Sequence, residues 1–275
     1  MVVVPDRDFD IAKIAASGQC FRLNQTDENT FRLVAQGNEL SIESRPSGSV
    51  RLNCSREEWD GVWRSYFDME TDYAAIREAI DPNDAYLSAA GAYGAGIRIL
   101  RQDPWETLIS FILSQRKNIP AIKRCVETLC ARFGEPLAGA PDRRAFPSAH
   151  RLAEVDVDCY NKCALGYRSG YVHAAAQMVA SGELDLSRLA VLPDGALMEA
   201  LLSVPGVGKK IADCTMLFGF HRLNRFPVDV WIERVLTREY PAGFPLSRYA
   251  GSEGVLQQYI FYYERTRQRS KKELP

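Results

Sequence analysis

The chain has 275 residues, of which 46% are hydrophobic, 10% aromatic and 25% charged. This composition fits one large globular domain or two ordinary ones and excludes disorder, collagen and coiled coil. The net charge of −1 hides an asymmetry, because residues 1–100 carry 10 basic and 16 acidic side chains and leave 24 basic and 19 acidic to residues 101–275, a modest pull toward a polyanionic partner.

No uncharged apolar run approaches the roughly 20 residues of a membrane helix, and the opening MVVVPDRDFD meets acids too soon for a signal peptide, so the expected setting is the cytoplasm, with no membrane partner. Residues 21–54 alternate in short stretches (Phe21-Arg22-Leu23, Thr30 to Val34, Glu39 to Ile42, Val50 to Leu52) between Asn, Asp, Gly and Pro, which predicts an antiparallel meander. From Ser55 the period becomes helical. Ser55-Arg-Glu-Glu58 has the capping-box form, and Tyr66, Met69, Tyr73 and Ile76 follow at helical spacing. After about residue 100 the chain reads as helix throughout. Asp103-Pro104-Trp105-Glu106 caps one helix, whose face is Trp105, Leu108, Ile109, Ile112 and Leu113, and Asn118 with Pro120 starts another that runs to Phe133-Gly134. Further helices are expected over 148–156, 169–181, 194–203, 209–220, 229–239 and 252–268, with no strand among them. The charge run from Arg265 to Glu273 reads as a solvated helix end.

The seven cysteines (20, 54, 125, 130, 159, 163, 214) lack any CxxC spacing, and the three histidines (150, 173, 221) lie far apart. That pattern encodes neither a disulfide framework nor a zinc knuckle, so no transition-metal cofactor is expected, although carboxylates could still hold a hard cation.

The stretch that carries chemistry is Leu201 to Cys214, LLSVPGVGKKIADC. A helix ends at Pro205-Gly206-Val207-Gly208 and another begins at Lys209, so bare amides and a helix start point outward together, as a phosphate oxygen requires. A tight turn between two helices would look the same. Beyond it, Asp229 stands in Phe226-Pro227-Val228-Asp229-Val230-Trp231 where a helix cap belongs. An amine nucleophile must lose its proton, and the helix start favours that at Lys210; Lys209 lies one position round the helix and faces phosphate or solvent. Cys214 shares the face of Lys210.

The hairpin, the lysine and the Pro-Val-Asp-Val segment together resemble the helix-hairpin-helix DNA glycosylase superfamily, in which a lysine at this position marks bifunctional glycosylase/lyases. Within it the chain is most similar to the 8-oxoguanine DNA glycosylase family of bacterial type. Ser17 to Arg22 resembles that family's lesion-recognition turn, Leu100 to Glu106 the start of its helical domain, Gly166-Tyr167-Arg168 its wedging loop, and Gly254 to Phe261 its base-pocket helix.

The resemblance implies an α+β fold, an antiparallel sheet domain over 1–95 packed on a helical domain over 96–275. It implies a cytoplasmic, nucleoid-associated monomer acting on double-stranded DNA that contains 8-oxoguanine. Lys210 would be the nucleophile and Asp229 the group that stabilises cationic charge on the sugar. Cys214 and Phe261 would sandwich the extruded base, Gln257 would bond its Watson–Crick edge, and the Gly18 carbonyl would accept the N7–H that distinguishes the lesion from guanine. Gly206, Val207, Gly208, Lys209, Arg116, Lys117, Tyr167 and Arg168 would bind DNA. No cofactor is expected, and an iron–sulfur cluster is not, since no cysteine follows Cys214. Two positions depart from the eukaryotic pattern: Arg116 stands where an asparagine fills the gap left by the base, and Ala121 where an arginine reads the opposite cytosine. Relaxed opposite-base preference follows. The competing expectations are a relative acting on alkylated bases or oxidised pyrimidines, and a DNA-binding module that needs neither Lys210 nor Asp229.

Overall fold

The computed structural model describes residues 1–5, 8–45 and 48–272, with side chains to 268 except at 161. The chain opens with strand β1 (Val2–Pro5) and helix α1 (Ile11–Ala16), then β2 (Leu23–Asp27), β3 (Thr30–Ala35), β4 (Asn38–Arg45) and β5 (Ser49–Leu52). The strands form one antiparallel sheet in the order β1-β5-β4-β3-β2. Its register opposes Phe31 to Ile42, Leu33 to Leu40 and Ile42 to Leu52, so the apolar residues of the period-2 pattern share one face. Gln36 and Gly37, both at positive φ, turn β3 into β4 in the conformation that two-residue hairpins favour. Phe9, Ile14, Trp59, Trp63 and Phe67 close the buried face. Strand β1 has no turn signal of its own and gains its place only by pairing with β5.

The capping box at Ser55 forms as expected and starts α2 (Arg56–Glu58). The helical run from it is broken, however: a wide turn over Trp59–Trp63 leads to α3 (Arg64–Tyr66), Asp68 adopts a φ of 50°, and α4 (Tyr73–Glu78) starts afresh from the Asp72 cap. The break has a cause that spacing cannot show. Asp68 is 1% exposed and accepts the Tyr73 hydroxyl at 2.8 Å and the Arg101 guanidinium at 2.8 Å, so the backbone bends to keep a buried carboxylate paired.

The remaining helices are α5 (Ala85–Gly94), α6 (Pro104–Ser114), α7 (Ile119–Phe133), α8 (Ala149–Ala153), α9 (Arg168–Ala180), α10 (Leu186–Leu189), α11 (Asp194–Leu202), α12 (Lys209–Phe218), α13 (Val230–Glu239) and α14 (Glu253–Lys272). Asp103 and Asn118 cap α6 and α7 as expected, accepting the amides of Glu106 at 2.8 Å and Ala121 at 2.9 Å. The expectation of no strand in this half is corrected by a small hairpin, β6 (Pro136–Leu137) and β7 (Ala140–Arg144). Its charged Asp142-Arg143-Arg144 carries no apolar alternation, and the hairpin is held from outside by Arg22, which donates to the Arg144 carbonyl at 2.7 Å. Glu273, the end of the charge run, lies outside the described residues.

Helix α6 is buried from Thr107 through Leu113 and forms the axis of the second core. Ile80, Leu87 and Ala90 belong to that core, so the hydrophobic division falls ahead of α4 and α5, whereas the division at residue 95 follows them. The two cores meet at Gln19. Its side chain accepts the Leu100 amide at 2.8 Å and donates to the Arg98 carbonyl at 2.9 Å, while its own carbonyl takes a bond from Gln102 at 2.8 Å. Gln258 of α14 donates to the Ser17 carbonyl at 2.7 Å. The turn at Gly18 is thereby fixed from both sides. Among the described residues no helix is long and apolar enough to cross a membrane.

Candidate active site

The hairpin between α11 and α12 turns because Gly206 takes a φ of 80°, which lets the Val207 amide reach the Val204 carbonyl at 3.0 Å. A Cβ at Gly206 would lie 2.3 Å from the Tyr171 ring, so both the conformation and the packing require glycine. Gly208 then caps α12 without a side chain, leaving the amides of Lys209 and Lys210 at an open helix start. The hairpin and the open helix start have the form expected from the sequence.

From this start, α12 presents Lys210, Cys214 and Phe218 along one face to a narrow cavity. Gly18, Phe111, Pro227, Asp229, Gln257 and Phe261 complete its wall. Five segments remote in sequence thus converge, and six residues singled out by resemblance (Gly18, Lys210, Cys214, Asp229, Gln257 and Phe261) face one space. The Lys210 Nζ lies 5.1 Å from the centre of the Phe111 ring. Cys214 is buried, and that burial pushes its thiol up to about 11; Lys210 beside it pulls down, while Asp229 and Asp213 push further up. The thiol is therefore neutral at physiological pH and offers a soft, uncharged surface to whatever enters.

Asp229 is the N-cap of α13, with Oδ1 accepting the amides of Trp231 and Ile232, both at 2.9 Å. Its Oδ2 accepts from no protein donor among the described residues, so half of the carboxylate holds the helix and the other half is left over in the cavity wall. Gln257 is divided in the same way. Its Nε2 donates to the Pro227 carbonyl at 3.0 Å, which fixes the amide's orientation, and its Oε1 is buried without a partner among the described residues. An unpaired buried acceptor costs about 1–3 kcal/mol, which a ligand donor would recover. Gly18 has a φ of 79°, and a Cβ there would lie 2.8 Å from Ile119 Cδ1 and 3.3 Å from Phe261 Cε1. The backbone of the turn thus forms a wall of the cavity against the edge of Phe261.

The cavity opens into a groove of about 640 Å³ that passes Ser114 to Asn118 and reaches Val228, Val230, Trp231 and Glu233. Arg116 and Lys117 line it. Tyr167 stands 54% exposed on a separate loop. Of the expected DNA-contacting residues, Lys209 keeps a largely exposed side chain, 78%, whereas Arg168 is placed differently. Lys209 points away from the cavity and pairs with Asp213 at 2.8 Å; that aspartate is 2% exposed and lies 3.5 Å from Arg225. Arg168 is buried, with its guanidinium turned inward to protein carbonyls. The position beside an exposed Tyr167 gave no hint of this, because one acceptor, the Gln115 carbonyl, belongs to a loop some fifty residues away, although the other, Leu165, lies three residues back.

Sequence reasoning missed Phe111, Phe218, Pro227 and Asp213. Phe111 falls outside the face of Trp105, Leu108, Ile109, Ile112 and Leu113, in a helix buried on every side from Thr107 to Leu113, so the stripe does not mark it. Pro227 contributes a carbonyl, which every residue has. Asp213 carried a local signal, its i,i+4 spacing from Lys209.

Residues 1–108 match the family model described as 8-oxoguanine DNA glycosylase, N-terminal domain, and residues 109–243 match that of the HhH-GPD superfamily of base excision DNA repair proteins. Among solved structures, MBOgg1 in complex with a low-affinity DNA ligand is 35% identical, with a TM-score of 0.90 over 97% of this chain and 96% of that one. The 8-oxoguanine glycosylase/lyase of Clostridium acetobutylicum, in complex with duplex DNA containing cytosine opposite 8-oxoguanine, is 32% identical with a TM-score of 0.89 over 95% and 93%. A probable N-glycosylase/DNA lyase of Methanothermobacter thermautotrophicus is 27% identical over 95% of both chains.

Proposed function

Since the chain belongs to the 8-oxoguanine DNA glycosylase family, we propose that it binds duplex DNA, extrudes 8-oxoguanine into the cavity beside Lys210, removes the base and cuts the strand at the resulting abasic site. The observation that carries this reading is the convergence of Lys210, Asp229, Cys214, Gln257, Phe261 and Gly18 on one cavity at the edge of an open groove.

The groove receives the duplex, with the open start of α12 set against a backbone phosphate. Tyr167 wedges beside the target and Arg116 occupies the space the base leaves. The flipped base lies between the Cys214 thiol and the Phe261 ring, where stacking recovers part of the unstacking cost. The free Gln257 Oε1 accepts from the N1–H or N2–H of the guanine edge, a donor pattern that adenine lacks. The Gly18 carbonyl accepts the N7–H of the lesion; guanine presents a bare N7 there, acceptor against acceptor, and the difference is worth about 1–3 kcal/mol.

The Lys210 amine, once it has given up its proton, then attacks C1′. The C1′–N bond forms as the glycosidic bond breaks, and the departing base takes the bonding pair. The Asp229 carboxylate stabilises the positive charge that develops on the sugar. Ring opening gives the Schiff base, whose cationic nitrogen acidifies C2′; loss of that proton expels the 3′ phosphate and cuts the strand. In this reading the protein works as a monomer in the cytoplasm on nucleoid DNA.

The test is covalent trapping with borohydride on a duplex carrying one 8-oxoguanine. Wild-type protein and Lys210→Gln are compared with Lys209→Gln. The expectation is trapping by wild type and Lys209→Gln and none by Lys210→Gln, which still binds the duplex. Exchange of the two lysine phenotypes would move the nucleophile to Lys209, and absence of trapping in the wild type would remove the lyase step.

A further inference from the structure

Side chains alternate along the strands of the sheet. Leu23, Phe31 and Leu33 enter the core, while Arg22, Asn24, Arg32 and Val34 share the opposite face, with Asn24 directly across from Arg32. A polar sheet face of this kind usually meets water. Here it is roofed: the later turns of α7 bring Glu127 and Ala131 over it, the β6–β7 hairpin brings Asp142, Arg143 and Arg144, and a cavity of about 370 Å³ remains between them. Small-ligand sites occupy about 300–1,000 Å³. No residue lining this cavity also lines the cavity at Lys210 or the groove.

Four arginines face the space. Arg22 is only 3% exposed; its Nε lies 3.2 Å from Glu127, its Nη2 donates to the Arg144 carbonyl at 2.7 Å, and its Nη1 has no acceptor among the described residues. Arg32 and Arg143 share one carboxylate, that of Glu39, at 2.9 and 3.6 Å. The exposed Arg144 has no ion-pair partner, and the Asn24 side-chain amide no hydrogen-bond partner, among the described residues. Four cations thus stand against the three carboxylates of Glu39, Glu127 and Asp142, and the excess positive charge is gathered in a recess where the most buried guanidinium is left under-bonded. Guanidinium forks match the oxygens of a phosphate. The recess is larger than a bare phosphate ion: Val34 and Ala131 offer an apolar patch to a ring, and Asn24 and Asp142 offer polar groups to its edge.

We propose that this recess is a second binding site, separate from the DNA groove, for a phosphomonoester of mononucleotide size. The phosphate lies among the four arginines and takes the unused Nη1 of Arg22, while the base rests on Val34 and Ala131. A duplex suits the recess less well, because its continuous backbone would have to pass the like charges of Glu127 and Asp142. The site does not depend on which lesion the Lys210 cavity accepts.

Calorimetric titration of the full chain tests it. The probes are deoxyguanosine monophosphate, whose base edge offers donors to Asp142, deoxyguanosine, and an undamaged duplex; inorganic phosphate serves as competitor. Wild type is compared with Arg143→Ala/Arg144→Ala, with Arg32→Ala and with Lys210→Gln, and circular dichroism establishes that each is folded. Arg143 and Arg144 are exposed side chains, and the backbone carbonyl that holds Arg22 survives alanine. The nucleotide should bind wild type and Lys210→Gln alike and be displaced by inorganic phosphate. The arginine variants should bind it roughly tenfold more weakly or worse, about what one charge-assisted hydrogen bond contributes, and should excise 8-oxoguanine as wild type does. Deoxyguanosine, which lacks the anion, should bind at least as poorly as the nucleotide does to those variants. Saturating duplex should leave the nucleotide affinity unchanged. Absence of nucleotide binding at about 1 mM would overturn the inference, as would binding lost in Lys210→Gln and kept in the arginine variants, or deoxyguanosine binding as tightly as the nucleotide. Duplex affinity that falls in the arginine variants while nucleotide affinity does not would make the recess a contact for the DNA backbone and overturn it too.

Discussion

In the proposed mechanism Asp229 carries two duties on two oxygens, and a pair of substitutions separates them. Oδ1 caps α13 through the amides of Trp231 and Ile232, while Oδ2 has no protein donor among the described residues in a cavity wall shared with Lys210. Asp229→Asn keeps an oxygen for the cap and removes the charge; Asp229→Ala removes both. Loss of an aspartate cap costs about 1 kcal/mol, in a range of roughly 0.5–2, and each kcal/mol lowers the midpoint of a chain of this size by roughly 2–4 °C. Asp229→Asn should therefore melt within about 2 °C of wild type and Asp229→Ala a few degrees lower. The chemical loss is of another order. Removing one preorganised group that stabilises transition-state charge costs about 2.7–4 kcal/mol, a hundredfold to a thousandfold in rate, and the charge is gone from both variants. Single-turnover excision should fall by at least a hundredfold in both, while thermal midpoints separate them. If Asp229→Asn excised 8-oxoguanine at near wild-type rates, or if activity tracked the melting temperature across the pair, the carboxylate would be a cap alone and the charge argument would be wrong.

Gly18→Ala places a methyl 2.8 Å from Ile119 Cδ1 at a φ of 79°, so a cost of about 1–3 kcal/mol and displacement of Phe261 should lower excision at least tenfold; unchanged rates would show that the turn does not shape the cavity. With alanine at 121 and Arg168 turned inward, excision should depend only weakly on the opposite base; a preference for cytosine above roughly a hundredfold, about 2.7 kcal/mol, would show that another residue reads it. Burial raises the Glu106 carboxyl to about 8, with Arg22 opposing and Asp103 and Glu127 adding to the shift. Neutral when folded and ionised when unfolded, it should cost stability as pH rises from the ordinary value of 4.5 toward 8. Glu106→Gln should flatten that slope in urea titrations across the window, and an unaltered slope would place the shift elsewhere.

Local signals, which need only near neighbours in the chain, were legible directly. The period-2 stretches, the caps at Ser55, Asp103 and Asn118, the glycine hairpin before Lys209 and the cap at Asp229 each involve residues within a few positions of one another. Resemblance supplied the candidate site residues, including Gly18, Gln257 and Phe261, whose chemistry no local pattern specifies. Tertiary structure decided everything that depends on partners distant in sequence. It broke the helical run after Ser55 to pair Asp68 with Arg101, drew β1 to β5 and assigned α4 and α5 to the second core. It also turned Arg168 away from solvent onto the Gln115 carbonyl. The division of Gln257 into a fixed donor and a free acceptor is of the same kind: the residue type is written in the sequence, but the carbonyl that orients it comes from Pro227, thirty positions away. A side chain's identity fixes what it can donate or accept, and only the packed chain fixes which of those capacities is left over for a ligand.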